Sequence, residues 1–239
     1  MIITPARRDP TRTVTHITLE LTTPCRPPCP VDHALMPPET WCRIITEAVE
    51  LGADSVRFAG GEPTAHPAFT EVLCHTIRAR PDIEVVTDLI HVTRCHWTLF
   101  THERVRLATR WYSDAPVQRE AITHRSGSHI RTRTNIVTAL GLHIPLRVDI
   151  VETVPDQRIG AARAELLLLG VPPDHIAVDR RRSGIGRPNP PRLAATYPTI
   201  LTNGDVATGP IPHRLITGNV LRHPLGEILA TPATSIPEP

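Results

Sequence analysis

The chain has 239 residues, 40% of them apolar, and a formal net charge of +2. That length supports one sizeable core with room for a small appendage. The apolar fraction excludes a disordered chain, and the near-neutral charge demands neither nucleic acid nor an anionic membrane as partner.

All 26 basic residues are arginine, which together with 26 prolines reads as the codon bias of a GC-rich genome. No run of 18 apolar residues predicts a membrane span. The arginine-bearing start, Met1 to Thr13, lacks the apolar stretch of a secretory signal, so a cytoplasmic location is expected. Two of the five cysteines, Cys25 and Cys29, stand close together ahead of a helix. In a chain that is not secreted, that placing favours metal binding over a disulfide.

In chain order, His16 to Leu21 alternates apolar and polar residues and predicts a half-buried strand. A proline- and cysteine-rich loop follows, from Thr22 to Pro37. A helix is expected over Pro38 to Leu51, with Trp41, Ile44, Ile45, Ala48 and Val49 on one face and Gly52 past its end. Ser55 to Ala59 predicts a short strand running into Gly60-Gly61-Glu62-Pro63. A second helix covers Ala68 to Arg80, with Phe69, Val72, Leu73 and Ile77 inward, and Ile83 to Thr87 is a third strand. Leu89 to Arg104 promises only a short helix. Arg106 to Ser113 reads as strand four.

Ser128 is placed to cap a helix reaching Leu142. Leu146 to Val151 alternates again, with Leu146, Val148 and Ile150 opposite Arg147 and Asp149. A helix beginning at Asp156 or Gln157 and ending at Gly170 leads to a short strand, Ile176 to Val178. This β/α alternation implies parallel strands with right-handed crossovers. It predicts an α/β fold, a partial (β/α)6 TIM-type barrel with a short C-terminal β-hairpin extension. The hairpin is signalled by Asn203-Gly204 between Thr199–Leu201 and Asp205–Ala207. Leu225 to Leu229 is a last helical turn. The expected division is a barrel over 14–187, an extension over 188–230 and a disordered tail over 231–239.

Four segments resemble radical S-adenosylmethionine (radical SAM) enzymes. The first is Cys25-x3-Cys29-x2-Asp32, directly after strand one, where that superfamily has three cysteines holding a 4Fe-4S cluster. The second is Gly60-Gly61-Glu62-Pro63, which is similar to the family's GGEP motif at the end of strand two. The resemblance implies that this turn holds the methionine part of S-adenosylmethionine. The third, Trp111 to Asp114 and then Arg125 to Ser128, looks like the strand-four region of peptide-modifying members. There Ser113 corresponds to a ribose contact and Arg125 to a partner of the cofactor carboxylate. The fourth covers Gly141 to Thr153 and Val178 to Arg187 and resembles strands five and six. Asn203 to Pro210, Thr217 to Val220 and Leu225 to Leu229 resemble the end of a SPASM or twitch extension. Those extensions bind auxiliary clusters through cysteines. No cysteine follows Cys95, so no auxiliary cluster is expected here.

Asp32 departs from the pattern, because a carboxylate is a harder and weaker partner for a cluster iron than a thiolate. Three readings stand. Asp32 ligates a labile cluster that still supports S-adenosylmethionine cleavage; the cluster is lost and the barrel persists as a pseudoenzyme, a partner of a paralogous protein; or Cys25, Cys29, Asp32 and His33 hold zinc. The functions implied are radical modification of a peptide or natural-product precursor, or a cluster-free binding subunit. Cys42 and Cys74 read as buried helix thiols, and Cys95 near His91 and His96 as a loop coincidence. Trp111 and Tyr112 read as core. Arg180, Arg181 and Arg182 read equally as a solvated run or as a grip on a substrate carboxylate.

Overall fold

The computed structural model describes residues 14–23, 36–179, 197–209 and 214–230; the tail expected over 231–239 lies outside them. One nine-stranded sheet runs β6-β5-β4-β3-β2-β1-β7-β8-β9. The strands β1 (His16–Thr22), β2 (Ser55–Gly60), β3 (Asp82–Val86), β4 (Val105–Trp111), β5 (Leu146–Val151) and β6 (Ile176–Asp179) lie side by side in chain order. Every neighbouring pair among them is parallel. The sheet does not close on itself, so the architecture is the expected partial barrel.

Sequential parallel strands need right-handed crossovers, which place all the helices on one face. Along β1, Ile17, Leu19 and Leu21 point to that outer face and are fully buried. They join one core with Trp41, Ile44, Ile45 and Ala48 of α1 (Pro38–Glu50) and Phe69, Val72 and Leu73 of α2 (Phe69–Ala79). α1 starts where the sequence says it should: Pro38 is pre-set for the first helical position and Glu39 complements the helix dipole. α2 stops because Arg80 turns into the left-handed region and its N–H caps Thr76 and Ile77. The short helix expected after Leu89 is α3 (Arg94–Phe100), capped reciprocally by Thr93 and His96.

Four local departures are seen, and the first three have physical causes. A helix with no counterpart in the sequence reading, α4 (Pro116–Thr123), follows β4; its one buried residue is an arginine, so no apolar stripe announces it. Ser128 does not cap α5 (Ser128–Gly141). Gly127 occupies the cap position at φ 72°, and the Ser128 hydroxyl pairs instead with Thr123 Oγ1 at 2.9 Å. α6 (Ile159–Leu168) begins later than Gln157, because the Gln157 amide is engaged by the preceding turn. Its Oε1 accepts from Thr153 N–H at 2.7 Å, and its Nε2 donates to the carbonyls of Tyr112 and Val151, each at 2.6 Å. Finally, the hairpin of β7 (Thr199–Ile200) and β8 (Asp205–Thr208) gains a third strand, β9 (Leu215–Asn219). β7 joins the sheet parallel to β1, and α7 (Leu225–Ala230) completes the described fold.

The most deeply buried arginine among the described residues follows from α4. Arg119 is 1% exposed and lies 4.7 Å over the Trp111 ring. It donates to Thr132 Oγ1 at 2.8 Å and to the Arg110 carbonyl at 3.3 Å, and burial lowers its pKa to about 10. Its fork thus ties α4, β4 and α5 together. Lysine cannot reproduce two divergent donors plus ring stacking. Arg119→Lys should therefore destabilise the fold by about 2 kcal/mol, read as a lower midpoint in urea with an unchanged denaturant slope.

Candidate functional site

The C-terminal ends of β1 and β2 are pinned to each other. Gly60 has φ 109°, and a Cβ placed on it would sit 2.2 Å from the Thr22 carbonyl oxygen. That oxygen accepts from Gly61 N–H at 2.8 Å, while Thr22 Oγ1 accepts from Glu62 N–H at 2.9 Å. Only glycine allows this approach. The turn Gly60-Gly61-Glu62-Pro63 is thereby fixed against the point where the chain leaves β1. Cys25, Cys29 and Asp32, in the loop that departs there, lie outside the described residues, as does His33.

Glu62 is turned inward, 5% exposed. Its Oε1 accepts from Thr64 N–H at 3.0 Å and Thr64 Oγ1–H at 2.6 Å, capping the short 3-10 turn Pro63–Ala65. Its Oε2 accepts from the backbone N–H of Asp88 at 2.6 Å. Burial, and secondarily the Asp88 charge, push its pKa up to about 8. Two carboxylates close together in a dry site resist ionising at once, which favours the protonated form of Glu62.

Asp88 is the hub that the sequence reading missed. It follows β3 and binds Arg125, with Nη1 to Oδ2 at 2.6 Å. Its Oδ1 accepts from Ile90 N–H, and its carbonyl accepts from Thr132 Oγ1 of α5. The next residue, Leu89, is fully buried at φ 56°, a left-handed conformation that leucine rarely adopts. Asn135 of α5 holds it there by donating to its carbonyl at 2.7 Å. Gly60 to Pro63 and Arg125 are thus brought together through Asp88.

Ser113 is not joined to that network. It is fully buried just past β4, where its Oγ accepts from Ala115 N–H at 3.1 Å and lies 3.5 Å from Asp114 Oδ1. Asp114 in turn takes a two-pronged contact from Arg158, with Nε and Nη2 each at 2.8 Å, which holds its carboxyl below the usual range. This double clamp joins the end of β4 to the start of α6.

The inner face of the sheet, opposite the helices, is charged. Thr18, Arg57, Glu84 and Arg106 stand in register across β1 to β4. Arg57 binds Glu84 at 2.9 Å, and Arg147 bridges Glu84 at 3.3 Å and Asp149. Arg214 crosses from the extension to Glu20 at 2.8 Å. At the N-terminal end of this face, the His16 ring contacts the Tyr197 ring at a tilt of 54° and bonds Ser55 Oγ at 2.6 Å; burial and the neighbouring Arg57 lower its pKa to about 4.

Cys42 and Cys74 are half-buried rather than sealed, and Cys95 is exposed on α3. Trp111 is core, fully buried. Among the described residues no group of three or more histidine, cysteine or acidic side chains is arranged to hold a metal ion. No helix among them is long and apolar enough to cross a membrane. Arg180, Arg181 and Arg182 lie outside the described residues.

Comparison with solved structures establishes the fold. Streptococcus suis SuiB superposes with a TM-score of 0.70 at 12% identity, covering 91% of this chain and 66% of SuiB. SuiB bound to precursor peptide SuiA gives 0.65 at 12% identity, with 91% and 65% covered. Hexahistidine-tagged anSMEcpe with bound AdoMet gives 0.65 at 10% identity, with 92% and 81% covered. Among curated proteins, a PqqA peptide cyclase from Streptomyces rochei is 32% identical over 118 residues, 47% of this chain. The chain spans only 31% of that relative's length. No family model matches.

Proposed function

We propose that the chain is a radical SAM-type protein that modifies a peptide or related natural-product precursor. The observation that carries this reading is the Gly60–Glu62 turn bonded to Thr22. It sets a GGEP sequence beside the exit of β1, from which the Cys25-x3-Cys29-x2-Asp32 loop departs. The shared fold with structures bound to AdoMet and to a precursor peptide supports it, as does the similarity to a PqqA peptide cyclase. Cys25, Cys29 and Asp32 would hold a 4Fe-4S cluster, and Gly60, Gly61, Glu62, Pro63, Ser113 and Arg125 would hold S-adenosylmethionine. When bound and reduced, that pair supplies a 5′-deoxyadenosyl radical for hydrogen abstraction.

The residues fit the cofactor's two charged groups in kind. A buried carboxylate suits an ammonium, and a guanidinium suits a carboxylate. Both are now satisfied internally. Glu62 shares its oxygens among three protein donors, and Arg125 is held by Asp88. Cofactor binding therefore means loss of the Glu62 proton and exchange of the Asp88–Arg125 pair for a cofactor–Arg125 pair. The same self-satisfaction favours the second reading, a cluster-free partner subunit of a paralogous protein, since such a network needs no ligand to be stable. Residues 188–230 are read as a reduced SPASM- or twitch-like extension without an auxiliary cluster, and the protein as cytoplasmic.

Anaerobic reconstitution with iron and sulfide separates the readings. The enzyme reading expects broad visible absorbance and about four irons per chain, then 5′-deoxyadenosine release with S-adenosylmethionine and reductant. Absence of both iron and absorbance leaves the partner-subunit reading. Replacing the aspartate, Asp32→Cys, should slow loss of the cluster to a chelator about tenfold or more, because thiolate outcompetes carboxylate for cluster iron. An unchanged loss rate removes Asp32 from the ligand set.

A further inference from the structure

On the inner face, beside Arg106, which pairs with Asp82 at 3.1 Å, three further guanidiniums, Arg57, Arg110 and Arg147, meet two carboxylates. Glu84 is shared by Arg57 and Arg147, and Asp149 is taken by Arg147. Arg110 stands in register with Asp149 on the adjacent strand, yet makes no side-chain hydrogen bond or ion pair among the described residues. It is half-buried. Its charge is felt inside the sheet, where it adds to the positive potential around Arg57. A half-buried guanidinium on a face with a surplus of like charge, its side-chain donors uncommitted among the described residues, suits an anion. A planar, two-oxygen acceptor matches its fork best.

Position narrows the anion. Arg110 lies on β4, three residues before Ser113, which follows the end of that strand, so it sits roughly 10 Å deeper. The Glu62–Asp88–Arg125 network lies just past the C-terminal ends of β2 and β3, so under the peptide-modifying reading a peptide bound beside it would extend toward Arg110 along the inner face. We infer that Arg110 is a substrate-recognition residue that takes a carboxylate of an acidic peptide. This rests on the peptide-modifying reading above, but its test is a binding measurement that needs neither cluster nor radical chemistry.

The probes are three matched pools of N-acetylated dodecapeptides passed over immobilised protein. One contains Asp and Glu and is C-terminally amidated. One carries Asn and Gln in their place, also amidated. One carries Asn and Gln with a free C-terminal carboxylate. Side-chain recognition retains the first pool about tenfold or more over the second; recognition of the chain terminus retains the third instead. Either enrichment should vanish in Arg110→Gln and persist in Arg131→Gln, which removes the same charge from an exposed position on α5.

Arg110→Gln should fold with an undiminished melting temperature, because the cation it removes has no partner to orphan. Equal retention of all pools, or equal enrichment by wild type and Arg110→Gln, overturns the inference. So does loss of enrichment in Arg131→Gln to the same degree. In each case the 5′-deoxyadenosine assay remains an independent test of the radical SAM reading.

Discussion

Gly60→Ala is expected to be strongly destabilising. The new Cβ would lie 2.2 Å from the Thr22 carbonyl oxygen, at a φ of 109° that alanine adopts only under strain. The oxygen cannot retreat freely, because it is the acceptor for Gly61 N–H. Relief requires prising the ends of β1 and β2 apart, which also breaks the Glu62 N–H bond to Thr22 Oγ1. The backbone strain costs about 1–3 kcal/mol, and each lost hydrogen bond about 1 kcal/mol. Together these approach 4 kcal/mol, a large share of the 5–15 kcal/mol that holds a typical domain folded. For a chain of this length that means a melting temperature lower by about 12 °C. A melting temperature within about 2 °C of wild type would mean that the two strand ends are not rigidly coupled.

The contrast between Gly60 and Asp88 shows what the sequence carries and what it does not. Gly60 is legible because a glycine pair after an alternating strand has few uses: a turn, or a close approach of backbone. Alternation likewise exposes β1 and β5, where Ile17, Leu19, Leu146, Val148 and Ile150 fill the outer face and the polar partners fill the inner one. α1 and α2 are legible from four-residue apolar spacing. Asp88 belongs to no motif. Its role exists only because β2 and β3 are neighbours, so that a backbone N–H two residues past one strand meets a carboxylate two residues past the other.

α4 was hidden for a related reason. Its buried residue is Arg119, whose desolvation is offset by carbonyl, hydroxyl and aromatic partners rather than by an apolar stripe. Periodicity records transfer free energy, and it is silent where polar groups are buried in pairs. The inner-face row of Arg57, Glu84, Arg147 and Asp149 shows the same limit. Arg147 and Asp149 were legible as the polar half of an alternating strand, whereas Arg57 and Glu84 fell in strands that were read without a face. The sharing of two carboxylates by two arginines, which leaves Arg110 over, needs the register between strands.

Glu62→Gln should produce the second large effect, visible in both stability and binding. Glu62 has its pKa raised from 4.5 in a free side chain to about 8 in the fold. Between those values the folded state holds a proton that the unfolded state has released, so stability falls as pH rises through this window. Above about pH 8 both states are ionised, and the penalty of a buried carboxylate is fully present. The variant has no such proton. Its melting temperature should start below wild type at about pH 5, because a glutamine amide turned toward Asp88 N–H cannot accept from it. The gap should then narrow steadily up to about pH 8. Parallel curves would mean that the Glu62 carboxyl is already ionised at low pH.

Binding follows the opposite sign. A ligand ammonium pairs with the carboxylate and not with the acid, so S-adenosylhomocysteine, a non-cleavable probe, should bind wild type about tenfold more tightly at about pH 7.5 than at about pH 6.5. Glu62→Gln should bind it about 10- to 100-fold more weakly at about pH 7.5, with the pH dependence gone. Asp88 sharpens the expectation, since it both raises the Glu62 pKa and holds the Arg125 guanidinium that the ligand carboxylate would claim. One carboxylate would thus oppose a ligand bound there at both of its charged ends. An affinity that is independent of pH in wild type and unchanged in Glu62→Gln would place the ligand away from this turn.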